Sequence, residues 1–544
     1  MPQLSKLQIR AKVLSVISEV KSLQYRNEEA LQNLCGQLNE IDDKEAMFDI
    51  FLKEYIKLDE DDYIFCSCII KNTVPATYIT EKSLEALKSS LSDEYKYKIV
   101  QLLRVTGGDY NYSELPGYFE NPQEVMDLET KRLLDSAVFN PESMLDFLDF
   151  VSAVSERDKS LLLKSLNIDY KGDVLANIAY PILYSDFSKE FVLQTIDVLC
   201  ESKSSLAIEP FEYLIQVSDD EEIVNACKKG LKILKLAGAT KEKAREYYNH
   251  IIKNSVPDKF YVTIPDGSGK QALLTTREHD TGRLSLAAVV ISDLTGIVDC
   301  FGFFNISREE IVKIVKKFYD SEGEYIAPKE YIKSRLEYAH ELNKKNKLHY
   351  PYEYICWKPM LYDIEPLNES LEEYAAANCN ICEVSKQEVS DFMAEEATFR
   401  WFLTPADNEA VKQVTEDIYS LENIDVPQIN SMLIDKTNDI FDEKNEELWL
   451  NRIYNLIYIL RQNNNSKDAD IAYTIIKNEE LFTLLKQILI QRSIFNYFVA
   501  LKENLKESFF AKNIFQKRSA NENKYDVKKI NTIIIELKRS WIDK

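Results

Sequence analysis

Two stretches of this chain repeat one another, and that repeat limits the fold more than any other feature. "LANIAYPILYSDFSKEFVLQTIDVLCE" starts at Leu175 and "LAIEPFEYLIQVSDDEEIVNACKKGLKIL" at Leu206. Both open on Leu-Ala and hold a proline (Pro181, Pro210). Both turn at an acidic corner (Asp186; Asp219 and Asp220), then resume with an apolar second helix. A weaker copy, "LDFLDFVSAVSERDKSLLLKSL", starts at Leu145, so the starts lie 30 and 31 residues apart. One helical hairpin cannot bury its apolar faces alone, so such a repeat predicts neighbours stacked on each other. A proline inside the first helix is expected to kink it and curve the pair around the next.

The kinked first helix, the Asp corner and the apolar residue early in the second helix resemble HEAT-repeat proteins. Val192-Leu193 and Val224-Asn225 stand where that family carries a Val-Arg pair, so its ladder of buried arginines is missing here. The likeness is closest over residues 145–235. It implies a mainly α fold, a HEAT-like α-solenoid, and says nothing of activity.

Around this block the chain divides by pattern. Residues 1–44 read as an N-terminal helical segment and 45–254 as helical repeats, with "EAMFDIFLKEYIK" and "DEYKYKIVQLLRV" showing three-to-four apolar spacing. Residues 255–320 change character. Five of the thirteen glycines (Gly267, Gly269, Gly282, Gly296, Gly302) fall here, among runs such as "KFYVTI" and "AAVVI". Alternating and continuous apolar runs between tight turns predict an antiparallel β-meander of three or four strands over 259–304. Ser307 and Glu310 are spaced as a capping box for a helix that should cover one face. Residues 321–370 read as a helix opened by Pro328 and a Pro- and aromatic-rich connector, "HYPYEYICWKPML". Residues 371–505 read as a C-terminal helical region, with a box at Ser385 and Glu388, less regular over 404–444. Residues 506–544 read as a basic amphipathic tail.

"IPDGSGKQ" (264–271) looks like a phosphate cradle. A P-loop needs Gly, four residues, then Gly-Lys-Ser/Thr, and here Ile264 and Gln271 occupy the outer positions. Pro265-Asp266-Gly267 reads as a turn instead. His279 with Asp280, Asp293 and Asp299 could converge on a cation or form an enzyme's site on the meander. Asp and Gly are also what ordinary turns demand, and successive meander turns lie at alternate ends of a sheet. His349, Cys356, Cys379 and Cys382 are a second candidate metal set, with a CxxC but no second pair; buried structural cysteines are the competing reading. No Gly-x-Ser-x-Gly elbow exists, and none of the four histidines stands in a catalytic pattern. His250 and His340 sit in charged helical stretches and read as solvated. No cofactor motif is found.

The net charge of −23 opposes a polyanion, so nucleic acid is not expected as a partner. From Ala511 onward nine Lys/Arg face four Asp/Glu. There Ile530, Ile533, Ile534, Leu537 and Trp541 share a helical face beside Lys528, Lys529, Lys538 and Arg539. Such a helix can dock on a partner or an anionic membrane surface, or cap the acidic body. No run is long enough to span a membrane, and nine scattered cysteines do not form a disulfide framework, so a cytoplasmic location is expected. Together these features predict a protein–protein interaction scaffold whose partner offers a basic segment. A metal-dependent or other enzyme with its site on the meander is the alternative.

Overall fold

The structure, a computed structural model, describes residues 4–23, 28–106, 112–319, 325–403, 408–512 and 526–542. It is mainly helical, with one five-stranded antiparallel sheet set between two helical regions. No helix among the described residues is long and apolar enough to cross a membrane.

The N-terminal helices pack on every second neighbour. Lys6–Ser22 lies on Lys44–Tyr55, and Glu60–Thr73 on both Glu28–Asn39 and Asp93–Thr106. Ile9, Val13, Phe48, Phe51 and Ile69 form their shared core. Farther along, helix Lys189–Ser202 contacts both Glu156–Asp169 and Glu221–Leu236. Polar side chains tie these helices together at sequence offsets of 31 to 35 residues. Ser160 Oγ donates to Gln194 Oε1 (2.8 Å) and Asn167 Nδ2 to Glu201 Oε2 (2.5 Å), both across 34 residues. Ser204 Oγ donates to Asp173 Oδ1 (2.6 Å) across 31 residues, and Thr240 N to Ser205 Oγ (3.1 Å) across 35. Gly230 permits the closest approach: a Cβ there would stand 2.6 Å from the Phe211 ring and 2.9 Å from Cys200 Sγ.

The two prolines act differently from expectation. Pro181 ends helix Gly172–Ala179 and the chain continues as the 3-10 turn Tyr180–Tyr184, because the ring removes one donor. Pro210 lies in the first turn of Ile208–Val217, where its missing N–H has no helical acceptor to lose. It therefore requires no kink. The acidic corner at Asp220 is an N-cap, accepting from Glu222 N and Ile223 N.

The sheet comprises β1 Ser255–Val262, β2 Lys270–His279, β3 Leu284–Ser292, β4 Gly296–Ile306 and β5 Tyr325–Ile326, in the order β4-β3-β2-β1-β5. Four strands follow the predicted meander, and β5 adds a short fifth beside Tyr261 and Val262. Helix Arg308–Phe318, opened by the Ser307/Glu310 box, covers one face through Ile311 and Val315 against Leu274, Leu286 and Ala288. The other face (Val262, Leu273, Ala287, Val289) meets Tyr331 and Leu336 of helix Lys329–Asn346 and Trp357. Gly302 is required there, since a Cβ would sit 2.4 Å from the Trp357 ring. Trp357 belongs to helix Tyr352–Trp357, followed by a 3-10 turn at Lys358–Leu361, so the expected connector is largely helical.

The C-terminal helices form a separate core around Trp401, Trp449, Leu489 and Phe498. Helix Lys386–Ala394 opens with the predicted capping box but stops before Phe399. The stretch expected to be irregular holds helices Glu409–Ser420 and Val426–Ile440, and helix Glu443–Gln462 starts at its end. Asn408, Asp425 and Asp442, which dilute the apolar pattern, are their N-caps. The tail helix Val527–Ile542 packs into this core with Ile530, Ile533 and Leu537 fully buried.

Candidate functional site

The turn at Asp266–Gly269 is a hairpin corner. Asp266 Oδ1 accepts from Ser268 N, Ser268 Oγ and Lys270 N, and Gly269 takes φ +77°. The corner is pinned to the C-terminal core by Gly267 N donating to Arg400 O and by Trp401 Nε1 donating to Pro265 O.

The meander's acidic residues are separated. Asp293, at the β3–β4 turn, is engaged by Arg452: Nε–Oδ2 is 2.6 Å and Nη2–Oδ1 is 3.0 Å, while Nη1 reaches Gly267 O at 2.8 Å. His279 and Asp280 lie at the β2–β3 turn, the other end of the sheet. His279 Nε2 meets Ser285 Oγ at 2.7 Å, and burial lowers its pKa. Asp299 is exposed on β4 opposite Val290, accepting from Cys300 N. These four residues do not form one cation site. Among the described residues no group of three or more His, Cys, Asp or Glu is arranged to hold a metal ion.

The second candidate set is also dispersed. Cys356 is buried against the helix Pro141–Ala153 core, and burial raises its thiol pKa. Cys379 caps helix Leu371–Asn378 in the C-terminal region, and Cys382 Sγ contacts Thr474 Oγ1 there. His349 packs edge-on to Tyr213. In the tail, Lys528 is exposed and Lys529 lies over the Tyr419 ring, but Ile533 and Leu537 face inward. That apolar face is turned into the C-terminal core; the Trp541 side chain lies outside the described residues.

The structure brings together a group not recognised in the sequence. Helices Ile208–Val217 and Lys241–Ile251 face helix Lys329–Asn346 and the segment 350–365 across a cleft. Two cavities of about 230 and 280 Å³ share Glu209, His340 and Tyr362. Tyrosines make the walls: Tyr213 stacks on Tyr350 at 4.3 Å and Tyr248 leans on Tyr362 at 4.5 Å. His340, expected to be solvated, bonds through Nε2 to the Tyr354 hydroxyl at 2.7 Å. Burial, then the Lys358 charge, pulls its pKa down to about 3, so the ring is neutral. Burial alone would raise Glu209, but the charge and hydrogen bond of Lys358 outweigh it and hold the carboxyl below its usual value. Arg245 pairs with Glu365 and Lys241 with Glu212 (2.8 Å). The aromatic-rich "HYPYEYICW" was the available signal, since its tyrosines supply one wall.

A second surface gathers carboxylates. Asp146 and Asp149 are exposed on helix Pro141–Ala153, beside Phe150, and Glu142 lies at its start. Glu142 Oε1 accepts from Phe304 N (3.1 Å), and Tyr352 Oη donates to Asp149 Oδ1 (3.4 Å). Burial and then the Asp149 charge raise the pKa of Asp146, and burial raises that of Glu142. None of these three acids pairs with a Lys or Arg among the described residues.

Comparison with known proteins adds no relative: no protein-family model, no curated protein and no solved structure matches the chain.

Proposed function

We propose that residues 145–235 belong to a HEAT-like solenoid and that the protein is a protein–protein interaction scaffold for a basic partner segment. The face of helix Pro141–Ala153 carries this reading: Asp146 and Asp149 have no cationic partner among the described residues and flank the exposed ring of Phe150. The Asp146 carboxyl, raised by burial and then by the Asp149 charge, gains stability from an incoming Lys or Arg. The adjacent aromatic ring supplies apolar contact for the aliphatic stems. The side-chain ladder at offsets of 31 to 35 residues supports the solenoid, which can present such a face rigidly. The meander fits this reading as a joint, because Asp293 and the Asp266–Gly269 corner are occupied by the C-terminal region.

The test is photo-crosslinking in cells with p-benzoylphenylalanine at position 150 and, as control, at Leu236. The expected result is one reproducible protein crosslinked from position 150 through a net-basic segment, lost on Asp146→Asn/Asp149→Asn. Crosslinks to neutral or acidic segments, or an unchanged pattern in the double variant, would sink the reading.

A further inference from the structure

The tyrosine cleft contains one loosely held ion pair among the described residues, Lys333 with Glu337. Lys333 is only 23% exposed at its side chain, yet its nearest carboxylate, Glu337, is 3.8 Å away. It makes no hydrogen bond among the described residues, whereas Glu209 and Glu365 are already engaged by Lys358 and Arg245. A half-buried ammonium whose donors are unused is costly, and a carboxylate at hydrogen-bond distance relieves that cost. Burial accordingly lowers the Lys333 pKa.

We propose that this cleft binds a small organic monocarboxylate bearing a planar ring, its carboxylate on Lys333 and its ring against Tyr362. The inference is independent of the partner-binding face at Phe150. Size, sign and shape each favour that class. A cavity of about 280 Å³ admits a single substituted ring. Lys333, Lys358 and Arg245 line it, so a cationic ligand meets like charge. A dianion is disfavoured too, since Glu209, Glu337 and Glu365 line the same space and only the Lys333 ammonium is loosely paired. Tyr362, already leaning on Tyr248, offers a flat apolar surface, and the neutral His340–Tyr354 pair offers hydrogen bonds without added charge.

The test uses full-length protein and three probes sharing one ring: benzoate, benzyl alcohol and phenyl phosphate, compared by calorimetric titration. Benzoate is expected to bind about tenfold or more tightly than either of the others, with that preference lost in Lys333→Met and kept in Lys333→Arg. Lys436→Met, on helix Val426–Ile440 and outside the cleft, should leave benzoate binding unchanged. A readout without any variant guards against misfolding: benzoate should protect Lys333 from acetic anhydride, mapped by peptide mass spectrometry. Equal binding of benzyl alcohol, preference for phenyl phosphate, or undiminished labelling of Lys333 under saturating benzoate would overturn the assignment.

Discussion

Arg452 and Asp293 meet in a two-pronged ion pair across 159 residues of sequence, with both side chains almost fully buried. Arg452 also stacks over Trp449, its guanidinium carbon 4.8 Å from the ring centre. The pair fastens the β3–β4 turn to the C-terminal helices. Asp293→Ala strands a buried guanidinium and is expected to cost about 3–5 kcal/mol by chemical denaturation. The double variant Asp293→Leu/Arg452→Met should lose clearly less. Equal losses in both would show that the pair itself, and not the stranded charge, dominates.

Glycines in the helical pairs should respond according to the space around them. Gly230→Ala forces a methyl group against Phe211 and Cys200, and overpacking of this kind costs about 1–3 kcal/mol. Gly36→Ala meets nothing within 4 Å in helix Glu28–Asn39 and should stabilise by about 0.5–1 kcal/mol. Thermal melts of the two variants should shift in opposite directions.

His340 predicts a pH dependence with a definite sign. Its pKa of about 3 in the folded protein lies below the ordinary value of 6.5, so between these limits the unfolded chain takes up a proton that the folded chain refuses. Stability contributed by the neutral ring is complete above pH 6.5 and is lost as pH falls toward 3. His279 and His349, also lowered, act in the same direction. His340→Gln should therefore flatten the stability profile between pH 7 and 4.5, measured by urea midpoints at each pH. An unchanged slope would place His340 in contact with solvent.

The tail helix should behave as part of the core. Leu537 is fully buried against the C-terminal helices, and Gln491 Nε2 donates to its carbonyl. Leu537→Ala is expected to cost about 2–5 kcal/mol. Binding to phosphatidylserine vesicles should stay unchanged between this variant and the wild type under folding conditions. Loss of vesicle binding without loss of stability would restore the docking reading of the tail.

Local signals in the sequence were reliable where the physics is local. The boxes at Ser307/Glu310 and Ser385/Glu388 open helices because each satisfies its own backbone donors within four residues. The hairpin at Pro265–Gly269 follows from turn chemistry in the same way. Long-range pairing was not legible. Arg277 binds both oxygens of Asp363, 86 residues on, and nothing near either residue marks the match. Gly302 accommodates the Trp357 ring, and nothing beside it in the sequence marks that contact. His340 looked solvated because its helix is rich in charge; the tyrosines that enclose it come from other elements. The candidate cleft is thus a product of tertiary assembly.

The most direct measurement of the scaffold reading is a charge-swap affinity series on the partner segment crosslinked from position 150. Asp146→Lys/Asp149→Lys should weaken binding about a hundredfold or more, and reversing the two contacting basic residues of that segment to Glu should restore most of it. Affinity unchanged by the reversal, or lost without rescue by the complementary swap, would contradict the proposal that this acidic face selects a basic partner.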